Sequence, residues 1–518
     1  MISRRTALGI LAGGAPALRL ARAADESLPI APGPFKGTRE SLQQYRIPDW
    51  YRDAKFGIWA HWGPQSHAEY GDWYAKRMYE EGSRQYKYHC EKYGHPSKFG
   101  YKDLAQSWKA ENFQPDYLVG LYKKAGAKYF CTMGVHHDNF DLWNSRFQTR
   151  WNAVAIGPKK DVVGLFRKAA QKHGLKFAVS EHLAVSYHWF QTSHHADKQG
   201  PLAGVPYDGT DSKYWDLYHE THEVPMRPDG SRTDDWSPVN VPAKWKMEYF
   251  NRIRDLIDNY QPDLLYTDGP IFFEEYGLSL VAHHYNQSAR RHGGTPQTVY
   301  TSKRREDSTT GTCVLDLERG VVDKIWPDPW QTDTCVGQWH YNQGQQYKSA
   351  KTVIDLLVDI VSRNGNLMLN FPLNSKGELD AGEMKILEGI TAWMAVNSEG
   401  IYATRPWKIF GGGPGTEASA QGDASFNETK RKALTAEDVR FTKKGDVLYA
   451  FCMGAPQKEA VIKPLASNSP EAPGKIRNVQ LLGYKGKLTW KQDEAGLRVE
   501  MPGEKLPEEA IAFKITGA

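Results

Sequence analysis

Lys128-Tyr129-Phe130-Cys131-Thr132-Met133-Gly134-Val135 is an apolar run of strand length, and it ends in His136-His137-Asp138. Downstream, Asp161 caps a stretch whose apolar positions Val162, Phe166, Ala169 and Ala170 recur at helical spacing and which Gly174 stops; Leu175-Lys176-Phe177-Ala178-Val179 is then a second apolar strand. Strand, helix, strand in this order is a parallel pair joined by a crossover helix. The unit repeats. Met247, Phe250, Ile253 and Ile257 predict a helix before the strand Asp263-Leu264-Leu265-Tyr266. Val353, Leu356, Leu357 and Ile360 predict another, closed by Gly365, before Leu367-Met368-Leu369. From about Lys55 to Pro372 no strand is followed by a glycine-rich dinucleotide fingerprint. A closed (β/α)8-type barrel is therefore favoured over an open doubly wound sheet.

The chain has 518 residues, more than such a barrel needs. Past Trp407, the run Gly411-Gly412-Gly413-Pro414-Gly415 marks a boundary. Beyond it, short β-rich pieces (439–442, 447–451, 476–482, 487–490, 497–501 and 510–515) alternate with turn signals, the pattern of a β-sandwich. The expected division is a barrel over 24–408 and a C-terminal sandwich over 409–518. The stretch Ser186–Val241, rich in Gly, Pro, Asp, His and Trp, is too long for a simple connection and reads as a functional loop beside the site.

At the start, Ser3-Arg4-Arg5, the small apolar run Ala7 to Leu18 and Ala21-Arg22-Ala23 have the form of an export signal over 1–23, with paired arginines of the twin-arginine type. The expectation is a soluble exported protein, periplasmic or extracellular, since no later apolar run is long enough to span a bilayer. Five scattered cysteines without a C-x-x-C pair indicate neither a zinc knuckle nor a disulfide framework. A net charge of +5 from 66 basic and 61 acidic residues argues against a nucleic-acid partner. The 17 Trp, 27 Tyr and 19 Phe are numerous, as they would be around a sugar, with its apolar faces and hydroxyl edges, or in a large ordinary core.

Barrel enzymes carry their reacting groups at the C-terminal ends of strands. Four apolar runs end in polar residues of chemical interest: Phe56–Ala60 in His61, Tyr129–Val135 in His136-His137-Asp138, Phe177–Val179 in Ser180-Glu181-His182, and Leu264–Tyr266 in Thr267-Asp268. Neighbouring His136 and His137 point to opposite faces of a strand, and no Cys or H-E-x-x-H motif joins them, so no metal or cofactor is expected. No G-x-S-x-G elbow is present. Carboxylates amid His, Trp and Tyr are glycosidase chemistry, one attacking the anomeric carbon and one protonating the leaving oxygen.

At this point the motifs become specific. Ala54-Lys55-Phe56-Gly57-Ile58-Trp59-Ala60-His61-Trp62-Gly63, Gly71-Asp72-Trp73-Tyr74, His136-His137-Asp138-Asn139-Phe140, Tyr266-Thr267-Asp268-Gly269, Leu317-Glu318-Arg319-Gly320, Pro329-Trp330-Gln331-Thr332-Asp333-Thr334 and Asn364–Asn370 occur in this order. The chain resembles glycoside hydrolase family 29, the α-L-fucosidases. The resemblance implies a retaining exo-glycosidase acting on fucosylated oligo- or polysaccharides. It makes Asp268 the nucleophile and Glu318 the acid/base, with Asp316 and Glu306 as rivals. It also implies a sugar pocket lined by His61, Asp72, Trp73, His136, His137 and Tyr266, to which Arg304 is delivered by the strand Thr298–Ser302. The chain departs from the family pattern at Asp72, where glutamate is usual, at Ser180-Glu181-His182, where the family shows an aromatic wall, and at Tyr266, where it shows tryptophan. Glu181 and His182 would add polar contacts to the sugar, leaving an α-L-galactoside as the alternative substrate and a non-catalytic sugar-binding protein as the other class of reading.

Overall fold

In a computed structural model of the chain, residues 28–225, 238–417, 425–471 and 474–517 are described; the expected export signal lies outside them. Eight strands make one sheet: β1 (Phe56–Ala60), β2 (Tyr129–Val135), β3 (Lys176–Glu181), β4 (Leu264–Thr267), β5 (Val299–Ser302), β6 (Val314–Leu315), β7 (Trp330–Cys335) and β8 (Gly365–Asn370). Their order is β6-β5-β4-β3-β2-β1-β8-β7, and every pairing is parallel. Between the two ends a single parallel bridge joins Asp316 and Gln331, and Leu317 N donates to Gln331 O at 2.9 Å. That contact closes the expected (β/α)8-type barrel. Its strands are covered on both faces, which is why β1, β2, β7 and β8 are buried at every residue and why β1 and β2 read as apolar runs rather than alternations.

Around the barrel stand α1 (Val162–Lys172), α2 (Ala243–Tyr260), α3 (Glu275–Arg291), α4 (Ala350–Ser362) and α5 (Ala381–Asn397). Asp161 caps α1 by accepting from Gly164 N at 2.9 Å. On α2 the buried stripe runs through Trp245, Tyr249, Phe250, Ile253, Leu256 and Ile257. Met247 was expected on it but is exposed, because two steps of 100° from Trp245 carry it to the opposite face. After α4 the reversal falls on Asn364, in the left-handed region at φ +74°, and Gly365 already belongs to β8. Gly365 answers a packing need instead: a Cβ there would lie 2.6 Å from Ile360 and 2.7 Å from Trp330.

The C-terminal region holds β9 (Gly411–Gly412), β10 (Val439–Lys444), β11 (Val447–Cys452), β12 (Glu459–Ile462), β13 (Asn478–Leu481), β14 (Trp490–Asp493), β15 (Gly496–Glu500) and β16 (Ile511–Thr516). They form two antiparallel sheets, β13-β16-β11-β10-β9 and β12-β15-β14, around a separate apolar core that includes Trp407, Phe441, Leu448, Leu497 and Phe513. The strand expected over 487–490 begins at Trp490, where pairing with Val499 starts. Two strands went unread: β12, and β9, whose glycines pass for a turn but pair with Val439 and Arg440. The described part of the long loop that begins at Ser186 folds into short helical turns; its Trp189 packs edge-on against Trp73, 5.9 Å between ring centres, and backs the pocket.

Candidate active site

The C-terminal ends of the barrel strands converge on a cavity of about 660 Å³. His61 follows β1, His136 and His137 follow β2, His182 follows β3, Asp268 β4, Lys303 β5 and Glu318 β6, while Asp333 lies within β7. Backbone bonds between neighbouring strand ends fix this ring: Asp268 N donates to Glu181 O (3.2 Å), Lys303 N to Gly269 O (2.8 Å) and Arg319 N to Asp333 O (2.8 Å). From β8, Asn370 accepts from His61 N (2.8 Å) and donates to Trp339 O (2.9 Å).

A single ammonium organises the carboxylates. Lys303 Nζ is 3.2 Å from Asp268, 2.7 Å from Glu318, 3.7 Å from Asp333 and 4.0 Å from Asp316. The Asp268 and Glu318 oxygens that it touches are therefore no further apart than the sum of those contacts, about 5.9 Å. Burial works to raise the Asp268 carboxyl, but Lys303, then His182 (Nδ1 at 3.1 Å) and His137 (Nε2 at 3.5 Å), outweigh it and hold the group well below the ordinary carboxylate range. Glu318 moves the other way: burial pushes it up, and the charges of Asp333 and Asp268 reinforce burial against the opposing Lys303. Lys303 itself is penalised by burial, yet Asp333, Glu318, Asp268 and Asp316 together keep it charged, well above the ordinary lysine value. One carboxylate is thus held ionised and its neighbour held toward protonation, the division of labour that acid-assisted displacement requires.

Opposite the carboxylates stands a wall of imidazoles. His61 and His136 are buried and pushed well below the ordinary histidine value, first by burial and then by neighbouring imidazoles, His340 and His182 at His61 and His137 and His182 at His136, so both are neutral. Gln65 accepts from Ala75 N through Oε1, which turns its amide to donate to His136 Nδ1 at 2.9 Å; His136 then carries its hydrogen on Nε2. His340 Nδ1 lies 2.6 Å from Asp72. Two triads, His61/His136/His340 and His136/His137/His182, have ring nitrogens within 4.8 Å of one another. Both include His136, whose Nε2–H suits a hydroxyl oxygen rather than a cation. Trp59, Trp73, Tyr266 and Trp339 supply the apolar lining.

Of the residues singled out from sequence, His61, Asp72, Trp73, His136, His137, His182, Tyr266, Asp268 and Glu318 line this one cavity. Four others, Arg304, Glu306, Glu181 and Asp316, do not. Arg304 is about half exposed and lies 3.4 Å from Glu306, itself at the surface; adjacent residues leave a strand in opposite directions, and it is Lys303 that turns inward. Glu181 is buried behind the wall, where Tyr249 (3.0 Å), Thr267 and Leu183 N donate to it; burial outweighs those bonds and raises it to about 7. Asp316 accepts from Gln331 Nε2 at 2.7 Å, is wholly buried, and is pushed up by burial and by Asp333. Lys303, Asp333, Trp59, Trp339, His340 and Phe426 escaped the sequence reading; Lys303 carried a signal, since it follows the strand Thr298–Ser302 already recognised, and Asp333 stood inside a quoted motif.

A closed parallel barrel with an asymmetric carboxylate pair at its mouth defines an enzyme of the glycoside hydrolase kind. Family models agree: that of α-L-fucosidase matches residues 23–399, and that of the α-L-fucosidase C-terminal domain matches residues 432–516. The chain belongs to the α-L-fucosidase family of glycoside hydrolases. The tissue α-L-fucosidase of Bos taurus is 25% identical over 499 residues, covering 92% of this chain and 90% of its own length. That of Homo sapiens is 24% identical over 517 residues, 95% of each chain. The structure of the Thermotoga maritima α-fucosidase superposes with a TM-score of 0.71 at 22% identity, covering 93% of this chain and 100% of that one, a likeness of fold.

Proposed function

We propose that the protein is an exo-acting, retaining α-L-fucosidase that removes terminal α-L-fucosyl residues from oligo- or polysaccharides. The observation that carries the mechanism is the Lys303 ammonium in contact with both Asp268 and Glu318, which keeps their nearest oxygens within about 5.9 Å. Retaining enzymes need ~5–5.5 Å between carboxyls, whereas inverting enzymes leave ~6.5–9.5 Å for a water. In this reading Asp268, kept ionised, attacks the anomeric carbon while Glu318 gives its proton to the leaving oxygen. Glu318, now a carboxylate, then takes a proton from the water that hydrolyses the glycosyl ester. His61, His136, His137, His182 and Asp72 would hold the sugar hydroxyls, and Trp73 and Tyr266 its apolar faces. We keep export through the 1–23 segment and the division near residue 408 as part of the proposal; no helix among the described residues is long and apolar enough to cross a membrane.

The test is Asp268→Gly. Hydrolysis of an aryl α-L-fucoside should fall by about 10⁴-fold or more, and external azide should restore turnover as a glycosyl azide. A variant of near wild-type rate would remove Asp268 from the role. One observation favours a second substrate: His182 Nε2 is buried without a partner and would accept a further hydroxyl, such as that of an α-L-galactoside. Wild-type turnover of the two aryl glycosides side by side decides between them.

A further inference from the structure

The cavity has a wall that does not come from the barrel. Ser425 and Phe426, on the chain segment that leads toward the C-terminal sheets, line it beside Glu318. Three successive residues fasten this segment. Phe426 N donates to Glu318 O (2.8 Å) and Glu428 N to Arg319 O (3.0 Å). Asn427 both accepts from Val321 N (3.0 Å) and donates to Val321 O (2.9 Å). The Glu428 carboxylate takes Thr334 Oγ1 and Lys348 Nζ, each at 2.9 Å. Between these anchors Phe426 is held in the left-handed region at φ +60°, a conformation that a bulky residue rarely adopts. The residue remains 55% exposed.

A lone exposed phenylalanine is ordinary. One that is bolted by its own backbone to the candidate acid/base, in a strained conformation that leaves its ring in the pocket mouth, is placed for contact with something that arrives. The Glu318 carboxylate itself accepts from Trp339 Nε1 at Oε1 (3.1 Å), and the Arg319 guanidinium lies 5.2 Å over the Trp339 ring. Glu318 is thus bonded to two aromatic residues that line the cavity, to Trp339 through its carboxylate and to Phe426 through its backbone. Whatever is bonded to the oxygen that Glu318 protonates lies in the cavity that these two residues line.

The geometry points to Phe426 as the platform of a leaving-group subsite, binding the apolar face of the second sugar ring of a fucosylated saccharide. The inference rests on the α-L-fucosidase reading and adds to it the part of the substrate that lies beyond the fucosyl unit. It also gives the connection between the two domains a part in substrate choice.

The test compares fucosyl disaccharides of defined linkage with α-L-fucosyl fluoride, whose leaving group has no ring. For Phe426→Ala, the ratio of kcat/KM on the best disaccharide to kcat/KM on the fluoride should fall about tenfold, the scale of one lost aromatic contact. Phe426→Trp, which keeps an aromatic face, should restore the ratio. An unchanged ratio in the alanine variant overturns the platform and leaves the fucosidase reading standing. A wild-type enzyme that leaves the fluoride intact would overturn that reading itself, and the platform with it.

Discussion

The molecule buries two ion clusters of opposite composition, and the contrast separates chemistry from architecture. At the barrel mouth one ammonium, Lys303, serves four carboxylates. At the seam between α4 and the C-terminal sheet one carboxylate, Asp359, serves three guanidinium groups: Arg363 at 3.2 Å, Arg431 at 2.7 Å and Arg440. At the seam the central carboxylate, Asp359, keeps its charge. Burial works to raise Asp359, but Arg363, Arg431 and Arg440 overwhelm it and hold the group well below the usual range. The mouth has more negative groups than its one cation can satisfy, so the surplus is met with protons, on Asp316 and toward Glu318. A cluster short of positive charge keeps a mobile proton beside an ionised carboxylate, and a cluster rich in it only fastens one domain to the other.

The sharpest way to break this contrast is Lys303→Met. Loss of the one ammonium should lower kcat/KM by about 10²–10³-fold, the scale seen when a charge-stabilising group leaves an enclosed site. The pH profile carries the signature. Lys303 lowers both Asp268 and Glu318, so its removal lets both rise. The acid limb, which follows Asp268 ionising, and the alkaline limb, which follows Glu318 losing its proton, should both move to higher pH. Limbs that stay in place would show that Lys303 does not set the two carboxyls.

Asp359→Asn probes the other cluster and should act on stability alone. Removing the charge leaves three guanidinium groups, two of them wholly buried, without their shared carboxylate, a loss of about 3–5 kcal/mol. It should be read as a fall of several degrees in Tm, with kcat/KM at 25 °C within about twofold of wild type. A loss of activity without a loss of Tm would mean that the seam takes part in the chemistry.

Part of the mouth was legible in the sequence, and none of the seam's ion cluster was. Asp268, His61, His136, His137 and His182 stand immediately after apolar runs, and strand periodicity is a local property that needs no knowledge of the fold. The helix α1 was readable for the same reason, with its stripe, its Asp161 cap and its stop all within one stretch. Lys303 was missed in favour of Arg304 because the family resemblance pointed to an arginine after the strand Thr298–Ser302, while the pleat decides which of two neighbours turns inward. Asp333 was quoted within a motif and left without a role: a carboxylate inside a strand acquires meaning only when Tyr266, which donates to it at 3.0 Å, and Lys303 arrive from β4 and β5. Barrel closure at the two-residue β6 and the approach of Phe426 to Glu318 depend on contacts between distant parts of the chain, for which no short window carries a signal.

The claim on which the rest depends is that Asp268 becomes covalently bonded to the sugar. Incubation with 2-deoxy-2-fluoro-α-L-fucosyl fluoride, followed by proteolysis and mass spectrometry, reads this directly, because the fluorine at C2 slows both formation and hydrolysis of the ester while the fluoride leaving group at C1 keeps formation fast. The account predicts one added fluorosugar per chain, on the peptide that carries Asp268. An adduct on the Asp333 or Glu318 peptide, or no adduct together with a first-formed product of inverted configuration, would contradict it.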